Sequence, residues 1–252
     1  MGYPERKKQI LKILDKRESM EVQEIADELG ISAVTIRRDL QQLADEELLI
    51  RTHGGAMKAP PRHPFTAYAD KETQAVIKKK YIGKLAAALV EPGDTIFLDC
   101  GSTVFTMCTH LKDITPLRII TNSLPVAAAF MDVPGIQVNL AGGEMDGQRK
   151  AVHGSKAVEH IRSYHADKAF IGTDGLSVKS GLTAFSETEA IISTAMAGSA
   201  DQVFVLCDST KIGRDSYLKF APLSLLHALV TDKDITLKQM AELKGNGVKV
   251  MN

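Results

Sequence analysis

The chain is predicted to be α/β in two parts. A small helical unit ending in a short β-ribbon is joined to a larger α/β domain, with a mostly parallel sheet and helices on both faces. Three observations predict this. Residues 31–56, ISAVTIRRDLQQLADEELLIRTHGGA, read as a capped amphipathic helix followed by a hairpin. Pro60, Pro61 and Pro64 then disfavour helix and stiffen the chain. From Lys71 onward, short apolar runs alternate with helix-length segments, as in strands buried on both faces. The expected boundaries are a first domain at 1–57, a linker at 58–70 and a second domain at 71–252. With 252 residues, zero net charge and 44% hydrophobic content, the composition is that of an ordinary soluble protein. No apolar run has the length of a membrane helix, and the polar, charged N-terminus carries no secretory signal. Cys100, Cys108 and Cys207 lack metal-ligand spacing. A cytoplasmic protein with reduced thiols, no metal, no cofactor and no membrane partner is the expectation.

The first helix is expected over about Glu5 to Arg17, with Ile10, Ile13 and Leu14 as its apolar stripe. The second covers about Val22 to Leu29, with Val22, Ile25, Ala26 and Leu29 on one face. Gly30 supplies a tight turn, and the short turn forces the next helix to cross steeply and project. Ser32 caps that third helix through its hydroxyl. Ile36, Leu40 and Leu43 fall at i, i+4 and i+7 and face inward, which turns Thr35, Arg37, Arg38 and Gln41 outward. Leu48 to Ile50 then read as a strand, and Arg51, Thr52 and His53 lead into Gly54-Gly55, a hairpin signal. This is the pattern of a winged helix-turn-helix, with Arg51 and His53 close to a phosphate backbone. Guanidinium forks suit phosphate oxygens and guanine edges, so double-stranded DNA is the expected partner. The plain alternative is a solvated arginine face. Residues 1–58 hold ten Lys/Arg against eleven Asp/Glu. DNA affinity must therefore come from a local basic edge, which favours a homo-oligomer, dimer or tetramer, presenting several such helices.

In the second part a long helix is expected over about Thr73 to Val90, ending at Glu91-Pro92-Gly93. Strands follow at Thr95–Leu98, Arg118–Thr121, Ile136–Leu140, Lys168–Ile171, Val203–Cys207 and His227–Thr231. After the first five come, in turn, Asp99-Cys100-Gly101-Ser102-Thr103, Asn122-Ser123, Gly142-Gly143, Thr173-Asp174-Gly175 and Asp208-Ser209-Thr210-Lys211. In an open parallel sheet these carboxyl ends share one edge, where ligands bind. Small, hydroxyl-bearing and charged residues there fit a small polar anion. In DCGST, Gly101 permits a tight turn, while Ser102, Thr103 and the helix start offer hydroxyls and amides to a phosphate. Ser102 or Thr103 serving only as a cap is the alternative. Lys211 is either a counter-charge or a solvated lysine, and Asp99 accepts either sugar hydroxyls or loop amides. Glu187 and Glu189 open a further helix, where a carboxylate either simply suits the helix start or meets ligand hydroxyls or acts as a base. His110, His153, His160 and His165 show no catalytic or metal pattern, and Cys100 reads as a small space-filling residue, with a redox role as the alternative.

ISAVTIRRDLQQL with RTHGGA resembles the DNA-binding signature of the DeoR family of bacterial transcriptional regulators. LDCGST, TNS at 121–123, AGG at 141–143, FIGTDG at 170–175 and LCDSTKIG at 206–213 resemble the blocks of its effector domain. The resemblance covers nearly the whole chain. It implies an effector domain similar in fold to ribose-5-phosphate isomerases and amino-sugar-phosphate deaminases. It also implies repression of sugar-catabolic operons and a phosphorylated sugar or related metabolite as effector. Carried over by motif, Thr35, Arg37 and Arg38 read DNA, while Asp99, Gly101, Ser102 and Thr103 hold the effector. Asn122, Gly143, Asp174 and Lys211 line the same cleft. Ser102 stands where threonine is common, and the hydroxyl is kept. The rival reading is an isomerase or deaminase with a DNA-binding appendage, using Asp99, Glu187 and Lys211 for proton transfer. The sequence does not separate a repressor from an activator.

Overall fold

The computed structural model describes residues 2–17, 19–45, 48–52, 54–58, 68–73 and 75–252. His53 and linker residues 59–67 lie outside the described residues. The chain divides into two compact units, Met1–Pro64 and Phe65–Asn252.

The first unit holds α1 (Tyr3–Arg17), β1 (Ser19–Glu21), α2 (Val22–Leu29), α3 (Ala33–Asp45), β2 (Leu49–Arg51) and β3 (Gly55–Lys58). Ile10, Leu14, Ile25, Ile36, Leu40 and Leu43 meet in one core, each at most 1% exposed. The helical periodicity thus translates directly into buried faces. Gly30 takes a left-handed φ of 65°, which ends α2 and turns the chain into α3. The ribbon has three strands, not the two that the sequence suggests. β3 pairs antiparallel with β2 and, on its other side, with β1 through Met20↔Ala56. Three residues give no periodic signal, so β1 exists only through that pairing.

The second unit runs α4 (Tyr68–Thr73), α5 (Val76–Ala87), β4 (Thr95–Leu98), α6 (Ser102–Phe105), α7 (Cys108–Leu111), β5 (Leu117–Thr121), α8 (Leu124–Phe130), β6 (Ile136–Leu140), β7 (Glu144–Asp146), β8 (Ala151–His153), α9 (Ser155–Arg162), β9 (Ala166–Gly172), β10 (Gly175–Ser177), β11 (Gly181–Ala184), α10 (Glu187–Ala197), β12 (Ala200–Leu206), β13 (Leu218–Ala221), β14 (Ala228–Val230), α11 (Leu237–Gly245) and β15 (Val250–Met251). The expected single helix from Thr73 to Val90 is not formed. Ala75 adopts a left-handed φ of 52° and separates α4 from α5.

Seven strands form a parallel sheet in the order β15-β14-β12-β9-β4-β5-β6. Side chains alternate across it. Ile96, Leu98, Phe170, Phe204 and Leu206 join a core with α5, α6, α7 and α8. Phe97, Ala169, Ile171, Val203 and Val205 join another with α9, α10 and α11. A three-layer α/β/α architecture follows. A β7–β8 hairpin and a small antiparallel sheet, β10-β11-β13, are additions that the sequence reading missed. Gly181, at φ +73° as the first residue of β11, closes the turn from β10.

Candidate functional site

Each unit carries its own candidate surface. On α3, Ser32 Oγ accepts from Thr35 N–H at 3.3 Å, so the expected cap is present. Arg37 and Arg38 are exposed and Thr35 is half-buried. Val34, beside them, is 74% exposed, an apolar side chain on the outward face that the sequence reading passed over. Arg51 does not stand free on the ribbon. Its Nη1 donates to Arg37 O at 3.3 Å and to Gln41 Oε1 at 3.4 Å, so it fastens β2 to α3. The reason is proximity: β2 follows α3 after a short connection and lies against it. Arg6 forks onto buried Asp39 through Nε at 2.5 Å and Nη2 at 2.9 Å, clamping α1 to α3 from the inward side. The sequence reading missed this pair because i and j are 33 residues apart.

In the second unit the carboxyl ends of β4, β9 and β12 converge on a cleft. Asp99, Gly101, Ser102, Thr103, Asp174 and Lys211 all line it. Two charged residues that the sequence reading left unassigned complete it, Lys71 from α4 and Arg149 from the β7–β8 turn, together with Glu189 from α10, one of the two glutamates offered a ligand role. Ser186 caps α10, its Oγ accepting from Glu189 N–H at 3.3 Å, which sets Glu189 in the first turn facing the cleft. Glu187 is exposed instead.

The charges are interlocked. Lys71 Nζ lies 2.9 Å from Asp174 Oδ1 and 3.9 Å from Glu189 Oε2, and Arg149 Nη1 lies 3.2 Å from Glu189 Oε1. Lys79, only 4% exposed, donates from Nζ to Ser102 Oγ at 3.0 Å and to the Lys71 carbonyl. Lys211 Nζ donates to Thr173 O at 2.8 Å. Burial pushes the Asp174 carboxyl up, but Lys71, Lys211 and the Phe185 amide outweigh it and hold it below the usual range. For Glu189 burial wins over Lys71 and Arg149, and its carboxyl is raised.

Asp99 is a brace. Its Oδ1 accepts from Cys100 N–H at 2.7 Å, and its Oδ2 from Gly172 N–H at 3.0 Å and Ser193 O–H at 3.1 Å. It ties the loop after β4 to β9 and α10. Cys100 is buried, and burial together with Asp99 raises its thiol well above the ordinary value, so it is held as the neutral thiol. α6 is only four residues long, so its dipole adds little at the Ser102 loop. Two expected lining residues do not reach the cleft. Asn122 is fully buried beneath it, with Nδ2 donating to Val152 O at 3.1 Å. Gly143 packs against the backbone of the β7–β8 hairpin, at φ +156°. The hairpin covers the ends of β5 and β6 and takes both residues out of reach. Among the described residues no group of three or more His, Cys, Asp or Glu is placed to hold a metal ion, and no helix is long and apolar enough to cross a membrane.

His153, 5% exposed, sits under this region, and among the described residues neither of its ring nitrogens has a hydrogen-bond partner. Burial lowers its proton affinity, against the opposing pull of Asp146 and Asp99. The unfolded chain takes up a proton near pH 6.5 whereas the folded chain resists it, so stability present above that pH is lost as pH falls through it. Melting between pH 7.5 and 5.5 should show this loss, at a slope of at most about 1.4 kcal/mol per pH unit. His153→Phe should flatten it; an unchanged slope would exclude His153 as its source.

A family model described as a DeoR-like helix-turn-helix domain matches residues 6–60, and one described as the DeoR C terminal sensor domain matches residues 74–233. The HTH-type transcriptional repressor GlcR of Bacillus subtilis is 33% identical over 251 residues, covering 100% of this chain and 96% of that protein. The lactose phosphotransferase system repressor of Streptococcus mutans is 34% identical over 235 residues, covering 92% and 93%. Among solved structures, a ribose 5-phosphate isomerase from Methanocaldococcus jannaschii is similar over 53% of this chain and 52% of its own, with 20% identity and a TM-score of 0.39, a partial likeness of fold. With both domain models matched in order and full-length relatives of this identity, the chain belongs to the DeoR family of transcriptional regulators.

Proposed function

We propose that this regulator is a cytoplasmic repressor of a carbohydrate-catabolic operon, binding its DNA operator as a homo-oligomer and responding to a phosphorylated sugar held in the second unit. The observation that carries the reading is the convergence of Lys71, Lys79, Arg149 and Lys211 with the hydroxyls of Ser102 and Thr103 at one sheet edge. Cations and hydroxyl donors in a partly buried cleft suit a phosphate dianion. The names of its relatives, among them the lactose phosphotransferase system repressor and a putative aga operon transcriptional repressor in Escherichia coli O157:H7, support a carbohydrate signal. For DNA the candidates are Thr35, Arg37 and Arg38, with Ser32 and Gln41 alongside as cap and strut and Arg51 bracing the ribbon. An effector acts only through different affinities for the DNA-competent and DNA-incompetent states.

The enzyme reading is weaker. Both oxygens of Asp99 are occupied, Glu187 is exposed and Lys211 is turned to a backbone carbonyl. That trio does not assemble into an acid and a base. Glu189, buried with a raised carboxyl, is the group that keeps the alternative alive. The decisive experiment holds the protein on DNA from upstream of its own gene and titrates phosphosugars beside their unphosphorylated forms. One phosphosugar should shift DNA affinity, its dephosphorylated form should not, and Ser102→Ala with Arg149→Met should abolish the shift. DNA binding indifferent to every phosphosugar would reject the effector class. Turnover of a phosphosugar, lost in Glu189→Gln, would restore the enzyme.

A further inference from the structure

The cleft is divided. An inner chamber against Asp99 and Arg149 encloses about 50 Å³, and an outer chamber against Ala75 and Thr210 about 210 Å³. Lys71, Ser102, Asp174 and Lys211 line both, so the Lys71–Asp174 ion pair stands at their boundary. Small-molecule pockets start at about 300 Å³. The inner chamber is far below that, whereas the two joined approach it.

Lys71 differs from the other cations in what carries it. Arg149 sits in a hairpin turn and Lys211 follows a central strand, but Lys71 rides on α4, a helix of six residues. α4 is held besides by Tyr68, which is buried, packs edge-on against Phe105 with ring centroids 6.4 Å apart and donates its N–H to Gln148 O at 3.0 Å, and by Lys79, which donates to the Lys71 carbonyl. Asp174 Oδ2 keeps the Phe185 N–H at 3.1 Å when Lys71 leaves Oδ1, so one oxygen of the carboxylate stays hydrogen-bonded as the ion pair opens. A phosphate carries nearly two charges near neutral pH and outcompetes a single carboxylate for an ammonium. Among the described residues α4 is the first element after β3.

We propose that Lys71 is a gating residue: a phosphorylated ligand replaces Asp174 and Glu189 as the partner of its ammonium, joins the two chambers and fixes α4 to the ligand. This rests on the cleft being a phosphate site. α4 is then the element through which occupancy is passed along the chain.

The test is amide hydrogen exchange of residues 68–80 in the full-length protein, with inorganic phosphate as the probe and binding followed by calorimetry. At ten times the measured Kd, exchange there should slow by about tenfold. Lys71→Met should weaken phosphate binding by about tenfold and, at matched occupancy, lose the protection at 68–73; Lys71→Arg should restore it and control for folding. Phosphate binding with unchanged exchange at 68–80, or protection retained in Lys71→Met, overturns the gate and leaves the phosphate site standing. No phosphate binding by the unaltered protein overturns the site and the gate together.

Discussion

Replacing Arg37 and Arg38 together by alanine is expected to lower operator affinity by about 100-fold or more, because each contact to a base edge or phosphate contributes about 1–3 kcal/mol. The slope of log affinity against log salt should fall by about two, one for each phosphate no longer neutralised. The fold should survive. Both side chains are exposed, and the core face of α3 belongs to Ile36, Leu40 and Leu43. Alanine also favours helix. Anisotropy titrations at two salt concentrations, with the melting temperature as control, measure all three. Affinity within twofold of the unaltered protein would remove α3 from the interface.

Gly55→Ala should be the most damaging substitution in the DNA-binding unit, and Gly54→Ala beside it should be mild. A Cβ on Gly55 would stand 2.7 Å from Glu21 Cα and 2.9 Å from the Met20 carbonyl carbon, both backbone of β1. Neither atom can yield without breaking the Glu21↔Gly55 register. Overpacking of this kind costs about 3 kcal/mol or more, against a total of roughly 3–10 kcal/mol for a unit of this size. On Gly54 the nearest atoms to the new methyl all belong to the flexible Glu21 side chain, whose carboxyl carbon lies 3.1 Å away. That side chain caps α2, so its displacement costs about 1 kcal/mol. Limited proteolysis of the full chain should expose the first unit in Gly55→Ala and spare the second. Equal resistance in both variants would mean that β1 does not pack on β3 as described.

Much of the architecture was legible because it is written at short range. Ile36, Leu40 and Leu43 declare their face by spacing, and β4 and β6 were bounded to the residue by their apolar runs. The edge where the strands end was readable in the same way: Asp99, Gly101, Ser102, Thr103, Asp174 and Lys211 do meet in one cleft. What was not legible depends on partners far along the chain. β1 is three residues with no pattern, and the β7–β8 hairpin removes Asn122 and Gly143 from the cleft although both follow strands.

By itself, then, the sequence determined two units, a third helix with its apolar face inward and Arg37 and Arg38 exposed, and a polar sheet edge, since periodicity, turns and strand ends are local properties of the chain. Only the tertiary structure decided which charges meet. Lys71, Arg149 and Glu189 come from three separate elements, and Lys71 lies 103 positions before Asp174. An isolated lysine, arginine or glutamate carries no motif, and its electrostatic role exists only once folding brings an opposite charge within a few ångströms in a site partly closed to water.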